Sequence, residues 1–255
     1  MNSFAVVIPA RLESTRLPGK VLKIIDGMSM LEQVVKRVKL SVDENDIYIA
    51  TDSKVITKHA HDLKIKSIMT STAHQNGTSR VAEAAKNLDY EYIIVVQADE
   101  ILLVPQQLDT LIDKIKNDST RMTFNLVSPI KQSDLTDISV VKSILAPNSQ
   151  ILFLCRGNPI TGHQSSSQKY IVKNTGIFAF PRNTLLRLAE LPDTPIQESE
   201  SIEQLKFIEN LIPIVGVTSK YSYPSINEEK DLQNYSDIMK QDAIQQEILK
   251  TIHRN

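Results

Sequence analysis

VVIPARLESTRLPGK, residues Val6 to Lys20, is the stretch that decides the fold. The apolar run Phe4 to Ile8 is typical of a buried strand. Pro9 ends this run, because proline cannot donate to a strand ladder and fixes φ. A helical pattern resumes at about Met30, after a loop rich in turn residues. The order strand, loop, helix predicts the first unit of an α/β sheet.

The loop after this strand carries three cations, Arg11, Arg16 and Lys20. Ligands of open α/β sheets collect at the carboxyl ends of the strands, and a following helix offers the N–H groups of its N-terminus. The loop has only one glycine, Gly19, and no GxxxxGK[ST] motif, so the cations would have to neutralise a phosphate. The simpler interpretation is a solvated basic loop.

Strands and helices alternate through the first hundred residues. Tyr92 to Val96 is β-branched and apolar, and we expect it to be the central strand. Ser29 and Glu32 form a predicted capping box before the first helix. The pattern predicts a parallel, doubly wound sheet. The other predicted elements are the helices Met30–Lys39, Lys54–Asp62 and Arg80–Lys86, the last capped by Thr78, and the strands Asp46–Ala50 and Ile68–Thr70.

The second half is less regular, and its elements predict antiparallel pairing. The runs Val140–Leu145 and Ile151–Cys155 flank Pro147-Asn148, which predicts a hairpin. We expect one domain, 1–255, with a regular first half at 1–120 and an inserted antiparallel section at about 125–180. The other predicted elements are the strands Met122–Val127, Thr175–Phe180 and Ile212–Val217 and the helices Leu108–Lys116, Asn183–Leu191, Glu200–Glu209 and Asp231 to the end.

Composition excludes several classes of protein. The 255 residues carry 29 basic and 30 acidic side chains, so no global charge attracts nucleic acid or an acidic membrane. The single cysteine, Cys155, excludes an intramolecular disulfide and fits a reducing compartment. No basic and apolar leader and no apolar run of 18 residues are visible. We therefore expect a soluble cytoplasmic protein with neither a nucleic acid nor a membrane as partner.

The opening motif PARxxSTRLPGK resembles the sugar nucleotidyltransferases. It is most similar to the cytidylyltransferases that make CMP-Kdo, where Kdo is 3-deoxy-manno-octulosonate. The resemblance covers nearly the whole chain, in order. It implies a three-layer, mostly parallel, Rossmann-like sheet of the nucleotide-diphospho-sugar transferase type and a homodimer paired through the inserted section. It also implies that residues 1–120 are the nucleotide-binding half, and that in this motif the nucleotide is bound by Pro9, Ala10, Arg11, Arg16 and Lys20.

A carboxylate pair, Asp99 and Glu100, follows the predicted central strand. A carboxylate at this edge can hold Mg²⁺ against triphosphate oxygens; the simpler interpretation is a helix cap. VVQADEILLVP resembles the family's VQGDEP segment, whose aspartate binds Mg²⁺. The resemblance therefore implies that Asp99 binds the metal and that Gln97 contacts the nucleotide. Ala98 and Ile101 replace the family's glycine and proline.

A second segment, HQNGTSR, resembles the family's HxSGTER, which the base and ribose lie against. His74, Gly77 and Arg80 match that motif, and Asn76 stands where the family has serine. The resemblance implies that these four residues bind the nucleotide.

Two further segments resemble the part of the family that binds the acid sugar. In LFLCRGNPI the matching cation is Arg156, and a guanidinium can bind a carboxylate bidentately. In ESIEQLKFIE the matching pair is Glu203 and Gln204, for which the simpler interpretation is the exposed face of a helix. The resemblance implies that all three contact the sugar.

Two residues depart from the family pattern. Asn174 stands where the family has a sugar-binding histidine, and Asn227 stands where it has a second Mg²⁺-binding aspartate. An amide oxygen coordinates Mg²⁺ without charge, and so more weakly. The resemblance implies a metal site at Asp99 and Asn227, with Asn174 in the sugar site.

The resemblance implies an enzyme that transfers CMP from CTP to an acidic 2-keto sugar such as Kdo and releases pyrophosphate. Arg11, Lys20 and Asp99 would be the catalytic residues, and Mg²⁺ the cofactor. The departures leave two alternatives. One is a sibling enzyme for an amino-substituted Kdo or a nonulosonic acid; the other is a homologue that binds nucleotide without catalysis.

Overall fold

The computed structural model describes residues 2–13, 17–159 and 169–254. Eleven strands lie in these ranges, and nine of them form one sheet. The strands are β1 (Phe4–Pro9), β2 (Ile24–Ile25), β3 (Met28–Ser29), β4 (Ile47–Thr51), β5 (Lys66–Met69), β6 (Tyr92–Val96), β7 (Thr123–Ser128), β8 (Lys142–Leu145), β9 (Ile151–Cys155), β10 (Ile171–Pro181) and β11 (Ile214–Thr218).

Nine α-helices connect or follow these strands in the described ranges. None of them combines the length and the hydrophobicity that a membrane-spanning helix needs. The helices are α1 (Met30–Val38), α2 (Lys54–Asp62), α3 (Gly77–Ala85), α4 (Pro105–Lys116), α5 (Arg182–Glu190), α6 (Pro195–Glu200), α7 (Leu205–Glu209), α8 (Glu229–Gln241) and α9 (Ala243–Arg254).

The main sheet has the order β11-β7-β10-β6-β1-β4-β5, so β6 is its central strand, as predicted. Strands β6, β1, β4 and β5 are parallel, and β11 is parallel to β7. Strand β10 runs antiparallel to both β6 and β7, and the hairpin β8–β9 pairs with its first residues. The prediction of a mostly parallel sheet with an inserted antiparallel section is confirmed.

Two apolar layers cover the two faces of the sheet, and β1 and β6 are therefore buried on both sides. Val6 of β1 belongs to the layer under α1, α2 and α4, whereas its neighbour Val7 belongs to the layer under α3, α5 and α7. A parallel strand between two helical layers needs this run of apolar residues on both faces. The three-layer α/β architecture is therefore the expected one.

Local caps explain why several helices begin where they do. Ser29 accepts a hydrogen bond from the Glu32 N–H at 3.0 Å, which confirms it as the N-cap of α1, whereas the Glu32 carboxylate pairs with Lys36 at 3.4 Å and does not complete the predicted capping box. The prediction of Thr78 as the cap of α3 is wrong: the side chain of Asn76 accepts from the Ser79 N–H at 2.8 Å, so the helix starts at Gly77. Asparagine is one of the strongest N-caps.

The C-terminal helix is divided, although the sequence pattern predicts a single one. Asp242 separates α8 from α9 and accepts hydrogen bonds from the N–H groups of Ile244 and Gln245. Its other oxygen accepts from the Tyr223 hydroxyl at 2.7 Å. An aspartate that bonds the backbone ahead of it favours an N-cap over a helix interior.

The prediction of a helix over Glu200–Glu209 is also wrong. Ser201 has a φ of 52°, in the left-handed region, and ends α6. Glu203 and Gln204 lie in the turn before α7, which starts at Leu205. The two predicted sugar ligands therefore lie between two helices and not on the face of one.

Candidate active site

Two cavities open at the carboxyl ends of the parallel strands and meet at three residues, Gln97, Asp99 and Asn227. The smaller has a volume of about 570 Å³ and lies between the loop after β1 and the start of α3. The larger, about 620 Å³, lies between β10, the segment after β7 and one face of α8. The chain thus has room for two ligands that share a boundary.

The boundary is built around the ammonium of Lys20. Its Nζ lies 2.7 Å from Oδ2 of Asp99 and 3.5 Å from Oδ1 of Asn227, and it also donates to the Ile226 carbonyl at 3.3 Å. The backbone holds these parts together, since the Ile226 N–H donates to the Asp99 carbonyl. The two predicted metal ligands and the predicted catalytic lysine therefore converge on one point.

Gly77 allows the first turn of α3 to lie against two strand ends. A Cβ at Gly77 would lie 2.9 Å from Nε2 of Gln97 and 3.2 Å from Cγ of Pro9. The close approach brings the first turn of α3 to the smaller cavity, where the side chains of Glu203 and Asn76 accept hydrogen bonds from the N–H groups of Thr78 and Ser79.

Gly176 of β10 allows a similar approach in the larger cavity. Its N–H donates to Oε1 of Glu100 at 2.8 Å, and a Cβ there would lie 2.6 Å from the same oxygen. The Ser225 hydroxyl donates to this oxygen as well. Burial, and then the charge of Asp99, raises the pKa of Glu100. Gly176 is not among the predicted site residues, although an isolated glycine in a strand pattern indicates close approach.

Arg80 is buried beneath the smaller cavity. Its guanidinium donates to Asp52 at 2.6 Å and to the Thr70 hydroxyl at 2.7 Å. It therefore joins α3 to the ends of β4 and β5. His74, at the rim, bonds Ser79 through Nδ1 at 3.2 Å and Glu83 through Nε2.

Glu203 connects the turn before α7 to the start of α3. Its Oε2 accepts from the Thr78 N–H at 3.1 Å. Burial raises the pKa of Glu203, while this bond, the Gly77 N–H and the charge of Arg11 oppose the rise. A carboxylate at a helix N-terminus interacts favourably with the helix dipole. Glu203 thus braces the helix whose N-terminus faces the smaller cavity.

Arg156 stabilises a different part of the wall of the smaller cavity. Its guanidinium donates to the carbonyls of Glu200 at 2.9 Å, Ile138 at 3.1 Å and Ser201 at 3.2 Å. Its backbone N–H donates to the Glu200 carboxylate. Arg156 therefore ties the end of β9 to two other segments.

The predicted sugar residues are divided between the two cavities. Arg156 and Glu203 line the smaller one, whereas Asn174 and Gln204 line the larger one. Asn174 accepts a hydrogen bond from the Ser143 hydroxyl at 3.1 Å, which fixes its amide on β10.

The predicted nucleotide residues come together around the smaller cavity. Their roles as ligands stay predictions, and Arg16 lies outside the described residues. Those that line this cavity are Pro9, Ala10, Arg11, Lys20, His74, Asn76, Gly77, Arg80 and Gln97.

The sheet is doubly wound, and two joined cavities lie at the carboxyl ends of its parallel strands. These features define the class of the protein: an α/β protein that can bind two ligands side by side. The family model described as cytidylyltransferase matches residues 5–214, so the chain belongs to the cytidylyltransferase family.

The relatives agree with this assignment. A protein from Chloroherpeton thalassium named 3-deoxy-manno-octulosonate cytidylyltransferase is 32% identical over 92% of this chain and 96% of its own length. One of the same name from Myxococcus xanthus is 36% identical over 82% of this chain and 85% of its own.

Solved structures agree as well. The structure of CMP:2-keto-3-deoxy-manno-octonic acid synthetase complexed with CTP superposes with a TM-score of 0.85 and 28% identity, and covers 94% of this chain and 99% of its own. A cytidylyltransferase from Leptospira borgpetersenii, at 15% identity, a TM-score of 0.64 and coverage of 100% and 95%, shares the fold.

Proposed function

We propose that the protein transfers CMP from CTP to Kdo and releases pyrophosphate. The observation that carries this function is the junction of the two cavities at Gln97, Asp99 and Asn227, beside the ammonium of Lys20. CTP would occupy the smaller cavity and the sugar the larger. The names of the relatives favour Kdo over the alternative sugars, and favour an enzyme over a non-catalytic homologue.

The reaction needs positioning and charge neutralisation more than covalent chemistry. The anomeric hydroxyl of the sugar attacks the α-phosphorus of CTP in line, a new O–P bond forms, and the bond to pyrophosphate breaks. Lys20 and Arg11 line the triphosphate side and offset its charge. The residues at the junction would orient the two substrates for this in-line displacement.

Magnesium dependence is part of this proposal. Asp99 and Asn227 each place an oxygen close to the same point, the Lys20 ammonium. Two oxygen donors suit Mg²⁺, which keeps several waters and takes phosphate oxygens as further ligands. No group of three His, Cys, Asp or Glu side chains in the described ranges has the arrangement of a metal site. Bound there, Mg²⁺ would polarise the phosphate oxygens and neutralise their charge.

Three further features are proposed from the family resemblance. The product would serve the synthesis of lipopolysaccharide or another surface polysaccharide, and the protein would work in the cytoplasm. It would form a homodimer through the inserted section. The side chain of Leu152 on β9 is 53% exposed and fits such an interface. Light scattering of the wild type and of Leu152→Asp tests the dimer.

The test of the function is pyrophosphate release from CTP with Kdo and Mg²⁺. We expect release with CTP and little with UTP or ATP, and chelation by EDTA should abolish it. Release with 8-amino-Kdo and none with Kdo would favour the sibling enzyme. CTP binding by calorimetry without release for any sugar would favour the non-catalytic homologue.

A further inference from the structure

The larger cavity contains a lysine that the sequence analysis did not assign to the site. Three lysines line this cavity: Lys131, Lys173 and Lys230. Lys131 is exposed, and Lys230 is 68% exposed and pairs with Glu228 at 3.0 Å. Lys173 is partly buried and precedes Asn174, which stands at the family's sugar-binding position. It is therefore the lysine that the folded chain encloses.

The ammonium of Lys173 makes few interactions for a buried cation. Its Nζ donates to the Tyr223 carbonyl at 3.1 Å and forms no ion pair with any carboxylate in the described ranges. An ammonium has three donors, and burying a charge without a partner is costly. Burial accordingly lowers the pKa of Lys173. An anion bound here would offset that cost.

The carboxylates that face Lys173 are held by other donors. Its electrostatic neighbours are Asp134, Glu100 and Asp137, with Lys131 opposing them. Oδ2 of Asp134 accepts from the Lys131 N–H at 3.3 Å, and Oδ1 of Asp137 accepts from the Ser139 N–H at 2.8 Å. Oε1 of Glu100 accepts from Gly176 and Ser225, both at 2.8 Å. The three carboxylates favour the charged form of Lys173, but they accept no hydrogen bond from its ammonium.

Arg156, which the resemblance implies as the carboxylate ligand, uses its guanidinium differently. Its Nε, Nη1 and Nη2 donate to the carbonyls of Glu200, Ile138 and Ser201. Turning the guanidinium towards a ligand would break all three bonds, of which the one to Glu200 is partly buried and therefore the costly one to lose. The guanidinium also lines the smaller cavity, whereas Lys173 lines the larger one beside Asn174.

We propose that Lys173 receives the carboxylate of the acid sugar and that Arg156 holds the wall of the site. This inference rests on the function proposed above. In a 2-keto sugar acid the carboxylate is attached to the carbon that bears the reacting hydroxyl. A cation that seats the carboxylate therefore also orients the nucleophile. Lys173 is in this sense a specificity-determining residue for acid sugars.

The test compares Kdo with its C1 carboxamide, in the wild type and in Lys173→Met, Lys173→Arg and Lys114→Met, where Lys114 is an exposed residue of α4 that lines neither cavity. In the wild type we expect kcat/KM for the acid to exceed that for the amide by about 100-fold, the loss typical of breaking a buried charge pair. In Lys173→Met this ratio should fall to about 1 while KM for CTP is unchanged. Lys173→Arg should restore part of the ratio, and Lys114→Met should leave it at the wild-type value.

A ratio that survives in Lys173→Met, even if both rates fall, would overturn the proposal, because it would assign the residue a structural role. Collapse of the ratio in Arg156→Gln, with Lys173→Met normal, would overturn it in favour of Arg156. Calorimetry of Kdo and the carboxamide measures the same ratio without turnover. A wild type that releases no pyrophosphate therefore counts against the proposed cytidylyl transfer, and the binding ratio still decides the role of Lys173.

Discussion

The ammonium of Lys20 lies 2.7 Å from Oδ2 of Asp99, two residues 79 positions apart in the chain. The side chains are 16% and 20% exposed, so water only partly screens this ion pair. Oδ1 of Asn227 is 3.5 Å from the same ammonium. Without nucleotide, Lys20 occupies the position in which a metal ion would meet both oxygens. If the proposed metal ion binds here, Lys20 and the metal compete for Asp99.

Replacing Lys20 should separate metal binding from catalysis. In Lys20→Met we expect kcat/KM for CTP to fall roughly 100- to 1,000-fold, about 2.7–4 kcal/mol, because a donor to the developing phosphate charge is lost. The affinity of the nucleotide-free protein for Mn²⁺ should rise, because Asp99 is released. Steady-state kinetics and Mn²⁺ titration by electron paramagnetic resonance measure the two effects.

Lys23→Met is the matched control. Lys23 pairs with Glu229 at 2.7 Å, but the partners are 33% and 71% exposed, and such surface pairs contribute little. We expect neither measurement to change. A fall in Mn²⁺ affinity in Lys20→Met would contradict the competition between the lysine and the metal.

Asn227→Asp should strengthen the metal site, because added carboxylate charge raises affinity for a hard cation. The Asn227 N–H bonds Asp231 at 2.7 Å, so the backbone is held whichever side chain is present. We expect the Mg²⁺ concentration for half-maximal activity to fall roughly tenfold, or about 1.4 kcal/mol. Asn234→Asp adds the same charge elsewhere on the larger cavity and serves as control. An equal effect in both variants would show that the added negative charge acts through long-range electrostatics and not as a ligand of the metal.

The parts of the fold set by local pattern could be predicted from the sequence. The apolar run at Tyr92 to Val96 identified the central strand because a strand covered on both faces needs such a run. The spacing of apolar residues after Ser29 placed α1 correctly. The opening loop and the QADE segment reach one cavity because the carboxyl ends of parallel strands share an edge of the sheet.

The parts that depend on distant pairing could not be predicted. The residues around Arg80 in the sequence do not indicate its partner, Asp52, which lies 28 residues earlier. Glu203 looks like part of a helix face, but the left-handed turn at Ser201 and the N–H of Thr78 place it elsewhere. The sequence does not distinguish Lys173 from the other lysines, and only the folded chain places it in the wall of the larger cavity. Tertiary contacts override local propensity at these positions.

Gly176→Ala should distort the larger cavity. The new Cβ would lie 2.6 Å from Oε1 of Glu100 and 2.9 Å from Cγ of Gln97. We expect a loss of about 1–3 kcal/mol in the free energy of unfolding, as for other overpacked positions, and a higher KM for the sugar. Gly157→Ala is the control, because no atom lies within 4 Å of a Cβ there. Urea unfolding and kinetics measure both, and an unchanged Gly176→Ala would contradict the close packing.

Two carboxylates, Glu203 at the start of α3 and Glu83 within it, should give stability a pH dependence of opposite sign. Burial raises the pKa of Glu203, whereas the hydrogen bond from His74 lowers the pKa of Glu83. A raised pKa means that the folded state binds more protons than the unfolded state. The stability that Glu203 contributes is thus present below the ordinary glutamate pKa, about 4.3, and is lost as the pH rises through its folded value.

We therefore expect the free energy of unfolding of the wild type, minus that of Glu203→Gln, to fall as the pH rises above about 4.3 and then to level off. The glutamine keeps an oxygen for the Thr78 N–H, so the comparison isolates the ionisation. The same difference for Glu83→Gln should be largest above about 4.3 and should fall as the pH is lowered through the depressed pKa. Urea unfolding at a series of pH values measures both curves. Slopes of the same sign would show that Glu203 is not held as a buried carboxyl at the start of α3.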